Sequence, residues 1–82
     1  MKTYSYTIHL EPAEEGGFIV TVPALPAVVT QGESYEEALA MAEDAIRLYL
    51  DTLIEDGEAI PIEEPIYRPL DARVTVEAAA SV

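Results

Sequence analysis

Alternating apolar and polar residues at the start of the chain predict a β-hairpin. Residues 4–10 place tyrosine, isoleucine and leucine on one side and serine, threonine and histidine on the other, which is typical of a half-buried strand. Residues 18–22 form a second, mostly apolar run. The glycine pair Gly16-Gly17 separates the two runs, and glycine accepts the positive φ of a tight turn at little cost.

Two further short strands are predicted, one before and one after a long helical segment. Pro23 and Pro26 bend the chain and remove two backbone donors, so the segment they occupy is no central strand. A short third strand is predicted over residues 27–30. Residues 58–69 contain three prolines and predict an extended connector. Alternation resumes over residues 72–78, which predicts the fourth strand.

One amphipathic helix is predicted over residues 35–56. Ser34 is the predicted N-cap, whose hydroxyl accepts an amide hydrogen bond, and Glu37 would complete a capping box by reaching back to the Ser34 N–H. Gly57 is the predicted stop, in a left-handed conformation. The apolar residues recur at steps of three and one along a single stripe: Tyr35, Ala38, Leu39, Ala42, Ala45, Ile46, Tyr49, Leu50, Leu53 and Ile54.

The order β-β-β-α-β predicts a small two-layer α+β domain, with a mainly antiparallel sheet and the helix on one face. The length of 82 residues fits a single domain over residues 1–82. The helix stripe is expected to pack against Tyr4, Tyr6, Ile8, Phe18, Val20, Val74 and Val76. The opposite sheet face and the strand edges predict self-association, as a two-fold dimer or a higher homo-oligomer. This open face carries Ile19, Thr7, Thr21 and Thr75.

Acidic residues dominate the charge of the chain. Sixteen acids face four bases, which gives a formal net charge of −12. A surface this negative repels phosphate groups, so direct binding of nucleic acid is disfavoured. A basic protein partner is favoured instead, because opposite potentials speed encounter. The alternative is that the acidity only keeps the protein soluble.

Few residues are of the types that catalysis or metal binding requires. His9 is the only histidine and there is no cysteine, which excludes a thiolate zinc site and a disulfide framework. We expect His9 to be a structural or surface residue, and we expect no cofactor, no metal and no enzymatic activity. The chain has neither a signal peptide nor an apolar run that could span a membrane, so a cytoplasmic location is expected.

Several short motifs follow one another in a fixed order along residues 4–61. After the first alternating strand they are Gly16-Gly17-Phe18, Pro23, Leu25-Pro26, Thr30-Gln31-Gly32, Glu36-Glu37-Ala38, residues 42–45, Leu48-Tyr49-Leu50 and residues 57–61. None is specific singly, but the ordered set resembles the HicB-like antitoxin domain, one half of a bacterial toxin–antitoxin pair. Family members usually have a glycine where this chain has Ala27. Complete HicB antitoxins also carry a C-terminal DNA-binding module; this sequence ends after the fourth predicted strand, so operator binding is not carried over.

The resemblance implies that the chain inhibits a toxin by masking it. The HicA-type partner is a small basic ribonuclease with a double-stranded-RNA-binding fold and an active-site histidine. An acidic surface would compete with RNA phosphates for its basic groups. The predicted contact patch is the densest group of acids, namely Glu55, Asp56, Glu58, Glu63 and Glu64. The alternative is a solvated charge run around a helix end.

Two other functions stay open at this point. One is a stand-alone homo-oligomeric interaction module without a toxin. The other is a metal-dependent nuclease, because the HicB-like domain resembles a truncated ribonuclease H fold. Such a nuclease needs carboxylates that converge from strands, and the predicted strands offer only Glu11 and Glu77. Nuclease activity is therefore disfavoured.

Overall fold

The computed structural model describes residues 2–62 and 71–78 as a four-stranded sheet covered on one face by a single helix. The sheet is antiparallel throughout, with the strand order β3-β2-β1-β4. This is the predicted two-layer α+β architecture. The elements are β1 (Lys2–Pro12), β2 (Phe18–Thr21), β3 (Val29–Gly32), α1 (Tyr35–Glu55) and β4 (Asp71–Ala78).

Strand β1 is the centre of the sheet and pairs along both of its sides. Its residues 2–9 pair with β4, and its residues 9–12 pair with β2. Strand β2 pairs in turn with β3, so Leu10, Val20 and Thr30 form one row across three strands. In the part of the chain that the structure describes, β3 is therefore the edge strand on one side and β4 on the other.

The core lies between the sheet and α1, where the two predicted apolar faces meet. Its buried members include Tyr6, Ile8, Leu10, Val20, Val74, Val76, Ala38, Ala42, Ile46, Leu50 and Leu53. Tyr35 was wrongly predicted as part of this core. As the first residue of α1 it lies at the rim of the domain and is 50% exposed. Its ring contacts Phe18 edge to face, with 6.3 Å between the ring centroids.

The loop between β2 and β3 supplies three further core residues. Val22, Leu25 and Val28 are all buried. The Leu25 N–H donates to the Val22 carbonyl at 2.9 Å, and the Val28 N–H donates to the Leu25 carbonyl at 2.9 Å. Two successive turns thus point every third side chain inward. Because residues 27 and 28 belong to these turns, the third strand begins at Val29 and not at residue 27.

The N-terminal end of α1 is capped by side chains. The Ser34 hydroxyl accepts a hydrogen bond from the Glu37 N–H at 3.1 Å, as predicted. The Glu37 carboxylate accepts from the Glu33 N–H at 3.0 Å, one residue earlier than the predicted Ser34 N–H. The Ser34 carbonyl accepts the first helical bond, from the Ala38 N–H.

Among the described residues, backbone groups alone close the C-terminal end of α1. Gly57 has φ +72°, which confirms the predicted stop, and Asp56 is the C-cap. The Gly57 N–H donates to the Ile54 carbonyl at 3.1 Å, and the Glu58 N–H donates to the Leu53 carbonyl at 2.9 Å. These two bonds form a Schellman motif, which satisfies carbonyls that the helix leaves free.

The connector after the helix returns toward the sheet. Residues 58–62 contain no helix or strand, as predicted for the start of the connector. The buried Tyr6 hydroxyl donates to the Pro61 carbonyl at 2.6 Å, and Ile60 packs against the core. The predicted extended connector continues through residues 63–69, which lie outside the described part of the chain.

Candidate partner-binding surface

Three of the five acids in the predicted contact patch lie together at the C-terminal end of α1. Glu55 is the last helical residue, Asp56 is the C-cap and Glu58 follows Gly57, and all three are exposed. We call these three acids the helix-end cluster. Glu63 and Glu64 lie outside the described residues. Within the described chain, no carboxylate of the cluster accepts a hydrogen bond or forms an ion pair.

The helix-end cluster lies where negative charge is unfavourable for the helix. The last carbonyls of a helix carry a partial negative charge, which repels carboxylates and attracts cations. The last turn of α1 contains no basic residue. Because the backbone already caps this end, the acids contribute no capping bond. At this end of the helix dipole their negative charge lowers helix stability. Among the described residues, no contact gives these acids a structural role.

A second acidic surface, which the sequence analysis missed, lies at the β1–β2 turn. It is a cleft of about 760 Å³ between this turn and the start of α1. Five glutamates from separate chain segments line it: Glu11, Glu14, Glu15, Glu33 and Glu37. The sheet register brings them together, because Glu11 is opposite Ile19 and Ile19 is opposite Gln31. We call this surface the hairpin cleft.

Part of the charge in the hairpin cleft has a structural explanation. Glu37 completes the N-terminal cap of α1. Glu36 and Glu37 lie in the first turn of the helix, where the partial positive charge stabilises carboxylates. Within residues 2–62 and 71–78, no group of three or more histidine, aspartate or glutamate side chains is arranged to hold a metal ion.

An apolar groove runs between β3 and α1. It has a volume of about 280 Å³ and is lined by Ala27, Val28, Val29, Ala45, Leu48, Tyr49 and Thr52. We call it the β3 groove. Leu48, on the helix side of the groove, is 70% exposed, and Val29 of β3 is 62% exposed. None of its lining residues is charged, although the chain contains sixteen acids.

The sheet face opposite the helix carries the predicted residues. Ile19 is 40% exposed, and Thr21 and Thr75 are exposed. Thr7 lies on the same face, opposite Arg73 in the sheet, but is only 3% exposed. It accepts a hydrogen bond from the Arg73 guanidinium at 3.2 Å, so the long arginine side chain lies across its strand. Sequence alternation identifies the face of Thr7 but not the neighbour that covers it.

The remaining expectations concern the role of His9 and the presence of a membrane-spanning segment. His9 is half-buried on β1, which agrees with a structural or surface role. Helix α1 is the one helix of the described chain. It is not long and apolar enough to cross a membrane.

Comparisons with known proteins identify relatives of this fold and sequence. The family model described as a HicB-like antitoxin of bacterial toxin–antitoxin systems matches residues 6–77. Antitoxin HicB 1 of Photorhabdus laumondii is 44% identical over 66 residues, which are 80% of this chain and 43% of that protein. A UPF0150 protein of Synechocystis is 37% identical over 71 residues, which are 87% of this chain and 90% of that protein.

Solved structures support the same fold. The N-terminal domain of the Burkholderia pseudomallei antitoxin HicB superimposes with a TM-score of 0.72 at 24% sequence identity, covering 93% of this chain and 99% of that domain. At this identity the likeness concerns the fold. The chain spans less than half of the length of the Photorhabdus antitoxin.

Proposed function

Because the chain belongs to the HicB-like antitoxin family of bacterial toxin–antitoxin systems, we propose that it binds and masks a small basic ribonuclease toxin of the HicA type. The observation that carries this proposal is the helix-end cluster. Its three acids are exposed, unpaired within the described chain and placed against the helix dipole. A binding role explains an arrangement that is unfavourable for the isolated domain.

The proposed mechanism is competition for the basic groups of the toxin. A ribonuclease holds RNA through cations that contact phosphates, and carboxylates of this chain would occupy the same cations. The net charge of −12 would steer a basic partner toward the complex and raise its association rate. In this mechanism the chain carries out no reaction and needs no cofactor. Its proposed setting is the bacterial cytoplasm, where the toxin would act.

Self-association is the second part of the proposal. Strands β3 and β4 end the sheet, and edge strands expose backbone groups that can pair with another chain. A symmetric dimer is the simplest assembly that satisfies such an edge.

A stand-alone interaction module is the second candidate function. One observation favours it: the Synechocystis relative aligns over 90% of its own length, so proteins of about this size occur as whole chains. In that case the acidic surface would serve another basic partner, or only the solubility of an oligomer. A gene for a small basic protein beside the gene for this chain would favour the antitoxin function.

The proposal is tested with any small basic protein that is encoded beside this chain, by mixing the two proteins with an RNA substrate. We expect this chain to suppress RNA cleavage and to cleave no RNA itself, with or without Mg²⁺ or Mn²⁺. The association rate should fall steeply as salt is added, while the dissociation rate changes less, because screening acts on long-range steering. Absence of binding to this protein would contradict the antitoxin function and favour the stand-alone module.

Two matched variants locate the contact surface. The variant E55Q/D56N/E58Q removes three charges from the helix-end cluster, and E11Q/E14Q/E15Q removes three from the hairpin cleft. We expect slower association with the toxin for the first and a smaller change for the second. Inhibition should persist with slower onset, because peripheral charges act mainly on the association rate. Equal association rates for both variants would contradict the assignment to the helix-end cluster.

The same measurement extends to the two acids of the predicted patch that the structure does not describe. Adding E63Q and E64Q to the helix-end variant removes all five predicted contact charges. If these acids belong to the surface, association should slow further than in E55Q/D56N/E58Q. An unchanged rate would restrict the contact surface to the helix-end cluster.

A further inference from the structure

We propose that Ile62 is the apolar anchor of the partner-binding surface, and that the hydrogen bond from the Tyr6 hydroxyl to the Pro61 carbonyl holds it beside the helix-end cluster. This inference rests on the proposed function and names a contact residue and a positioning residue for the same surface. It follows from the exposure of Ile62, from the contacts that fix residues 58–61, and from the acids that lie close to them.

Ile62 is more exposed than an apolar side chain favours. It is 90% exposed, the largest fraction among the exposed large apolar residues of the described chain. A single exposed apolar side chain is common on protein surfaces and has no meaning by itself. Ile62 differs from such residues because contacts to the rest of the domain fix the backbone that leads to it.

The segment that leads to Ile62 is attached to the domain at several points. The Glu58 N–H closes the Schellman motif at the end of α1, and Ile60 packs against the core. The Tyr6 hydroxyl then donates to the Pro61 carbonyl at 2.6 Å. Because these contacts follow one another along the chain, the backbone that carries Ile62 has a defined course away from the helix end.

Proline makes a single hydrogen bond effective at this point. The ring of Pro61 fixes its own φ and restricts the preceding residue, Ile60, to extended conformations. A bond to the Pro61 carbonyl therefore orients a stretch of chain that is already stiff. Tyr6 provides this bond from a rigid position, because it is 1% exposed and belongs to β1, an interior strand of the sheet.

The helix-end cluster lies a short distance from this anchor. Four residues of chain lead from Glu58 to Ile62, so their Cα atoms are at most about 14 Å apart. Protein interfaces commonly have an apolar centre surrounded by polar and charged groups, and these residues provide the two parts side by side. A basic partner fits this surface, whereas a second copy of the chain would bring a further net charge of −12 against the same acids.

The two parts of the surface predict different kinetic effects. Carboxylates attract a basic partner over a long range and act mainly on the association rate. An apolar anchor contributes only after it is buried in the complex, so its loss raises the dissociation rate. Sodium chloride screens the long-range attraction and leaves the apolar contact nearly unchanged.

The test measures binding of variants to the toxin, for which any small basic protein that is encoded beside this chain is used. I62A removes the anchor and keeps every charge, and L48A truncates the second most exposed apolar residue, which lies on α1. Y6F removes only the hydroxyl that donates to Pro61. S34A removes a hydroxyl that forms a hydrogen bond at the opposite end of α1, and it serves as the control for Y6F. Surface plasmon resonance gives the rates at low and high salt, and circular dichroism verifies folding.

I62A should raise the dissociation rate by roughly tenfold or more at both salt concentrations, and L48A by less than about twofold. Y6F should raise it by roughly three- to tenfold, because the partner must then order a loosened segment when it binds. S34A should leave the rate nearly unchanged. The double variant Y6F/I62A should dissociate no faster than I62A, since the position of a side chain that has been removed no longer matters.

The order of the segment is measured separately, on the free chain. In ¹⁵N relaxation, the Ile62 amide of the wild type and of S34A should have the order parameter of rigid backbone, about 0.85. In Y6F it should fall to about 0.6 or less, the range of flexible segments. An unchanged order parameter in Y6F would show that Tyr6 does not hold the segment in place.

Results that would contradict the inference differ from those that would contradict the antitoxin function. If the wild type inhibits the toxin and I62A dissociates at the wild-type rate, Ile62 is no anchor although the antitoxin function stands. Equal effects of I62A and L48A would assign the loss to exposed apolar area in general. Additive effects in Y6F/I62A would show that Tyr6 does not act through Ile62. Absence of binding by the wild type would contradict the proposed function and the anchor together, while the order parameters would still decide the role of Tyr6.

Discussion

The two ends of helix α1 show opposite relationships between charge and stability. At the N-terminal end, Ser34 and Glu37 cap the backbone with their side chains, and the acids of the first turn face the favourable end of the helix dipole. At the C-terminal end the backbone closes the helix through Gly57, and Glu55 and Asp56 face the unfavourable end of the dipole.

This difference separates acids that stabilise the helix from acids that do not. The chain has sixteen acids, so an acid cluster alone says little about a binding surface. The glutamates at the start of α1 have a structural function in capping and in the dipole. Those at its end have none in the described chain, and this contrast is why we propose the helix-end cluster as the contact surface.

The largest expected effect tests the premise that α1 packs on the core along its whole length through the face that carries Leu50. Leu50 is fully buried, whereas Leu48 is 70% exposed two residues away on the same helix. L50A should lower the free energy of unfolding by roughly 2 to 5 kcal/mol, through lost burial and the cavity left behind. L48A should change it by less than about 0.5 kcal/mol.

Both leucine variants are measured by urea unfolding at low protein concentration, where the β3 groove of the monomer is open to solvent. The same residue type is truncated in both, so the difference in unfolding free energy reports burial alone. An equal loss in the two variants would show that α1 packs through another face, and the contrast between its ends would then lose its structural basis.

A smaller effect tests how each end is capped. S34A removes the hydroxyl that accepts from the Glu37 N–H and should cost about 1 kcal/mol of unfolding free energy. D56A makes a comparable truncation at the C-cap, where only backbone groups form the closing bonds. We expect no loss from D56A. A loss in D56A equal to that in S34A, measured by the same denaturation experiment, would show that Asp56 has a structural role.

Signals within a few residues allowed the boundaries of α1 to be predicted from sequence. Ser34 and Gly57 are local start and stop signals of the helix, because an N-cap hydroxyl and a left-handed glycine act on neighbouring backbone groups. The alternation of β1 and β4 likewise predicted their buried faces. The prediction was wrong for Tyr35, whose spacing fits the apolar stripe but whose side chain, in the first turn of α1, is 50% exposed.

Features that depend on distant parts of the chain were not accessible from the sequence. Val22, Leu25 and Val28 are buried by two successive turns, a pattern that has neither the period of a strand nor that of a helix. Predicting the hairpin cleft would have required knowledge of the strand register, which brings Glu11 near Glu33. The sequence analysis predicted both the dense acids of the contact patch and their place around a helix end. The structure adds that backbone groups close that end, so that within the described residues these carboxylates take no part in the cap.

The smallest expected effect measures the dipole contrast itself. E36Q and E55Q each replace one exposed glutamate of α1 by its neutral isostere, the first in the opening turn and the second in the closing turn. Both relieve the general repulsion of a chain with charge −12, so that contribution is shared. The dipole contribution differs in sign, since Glu36 is stabilised and Glu55 is destabilised by the nearer helix end.

E55Q should therefore unfold at a higher urea concentration than E36Q, with a difference of about 0.3 kcal/mol or more at low salt. The difference should shrink as salt is added, because exposed charges are screened over about 10 Å at 0.1 M. If the two variants shift by the same amount at low salt, the two ends of the helix do not differ electrostatically. The helix-end cluster would then no longer be destabilising, and the case for its binding role would rest on the association rates alone.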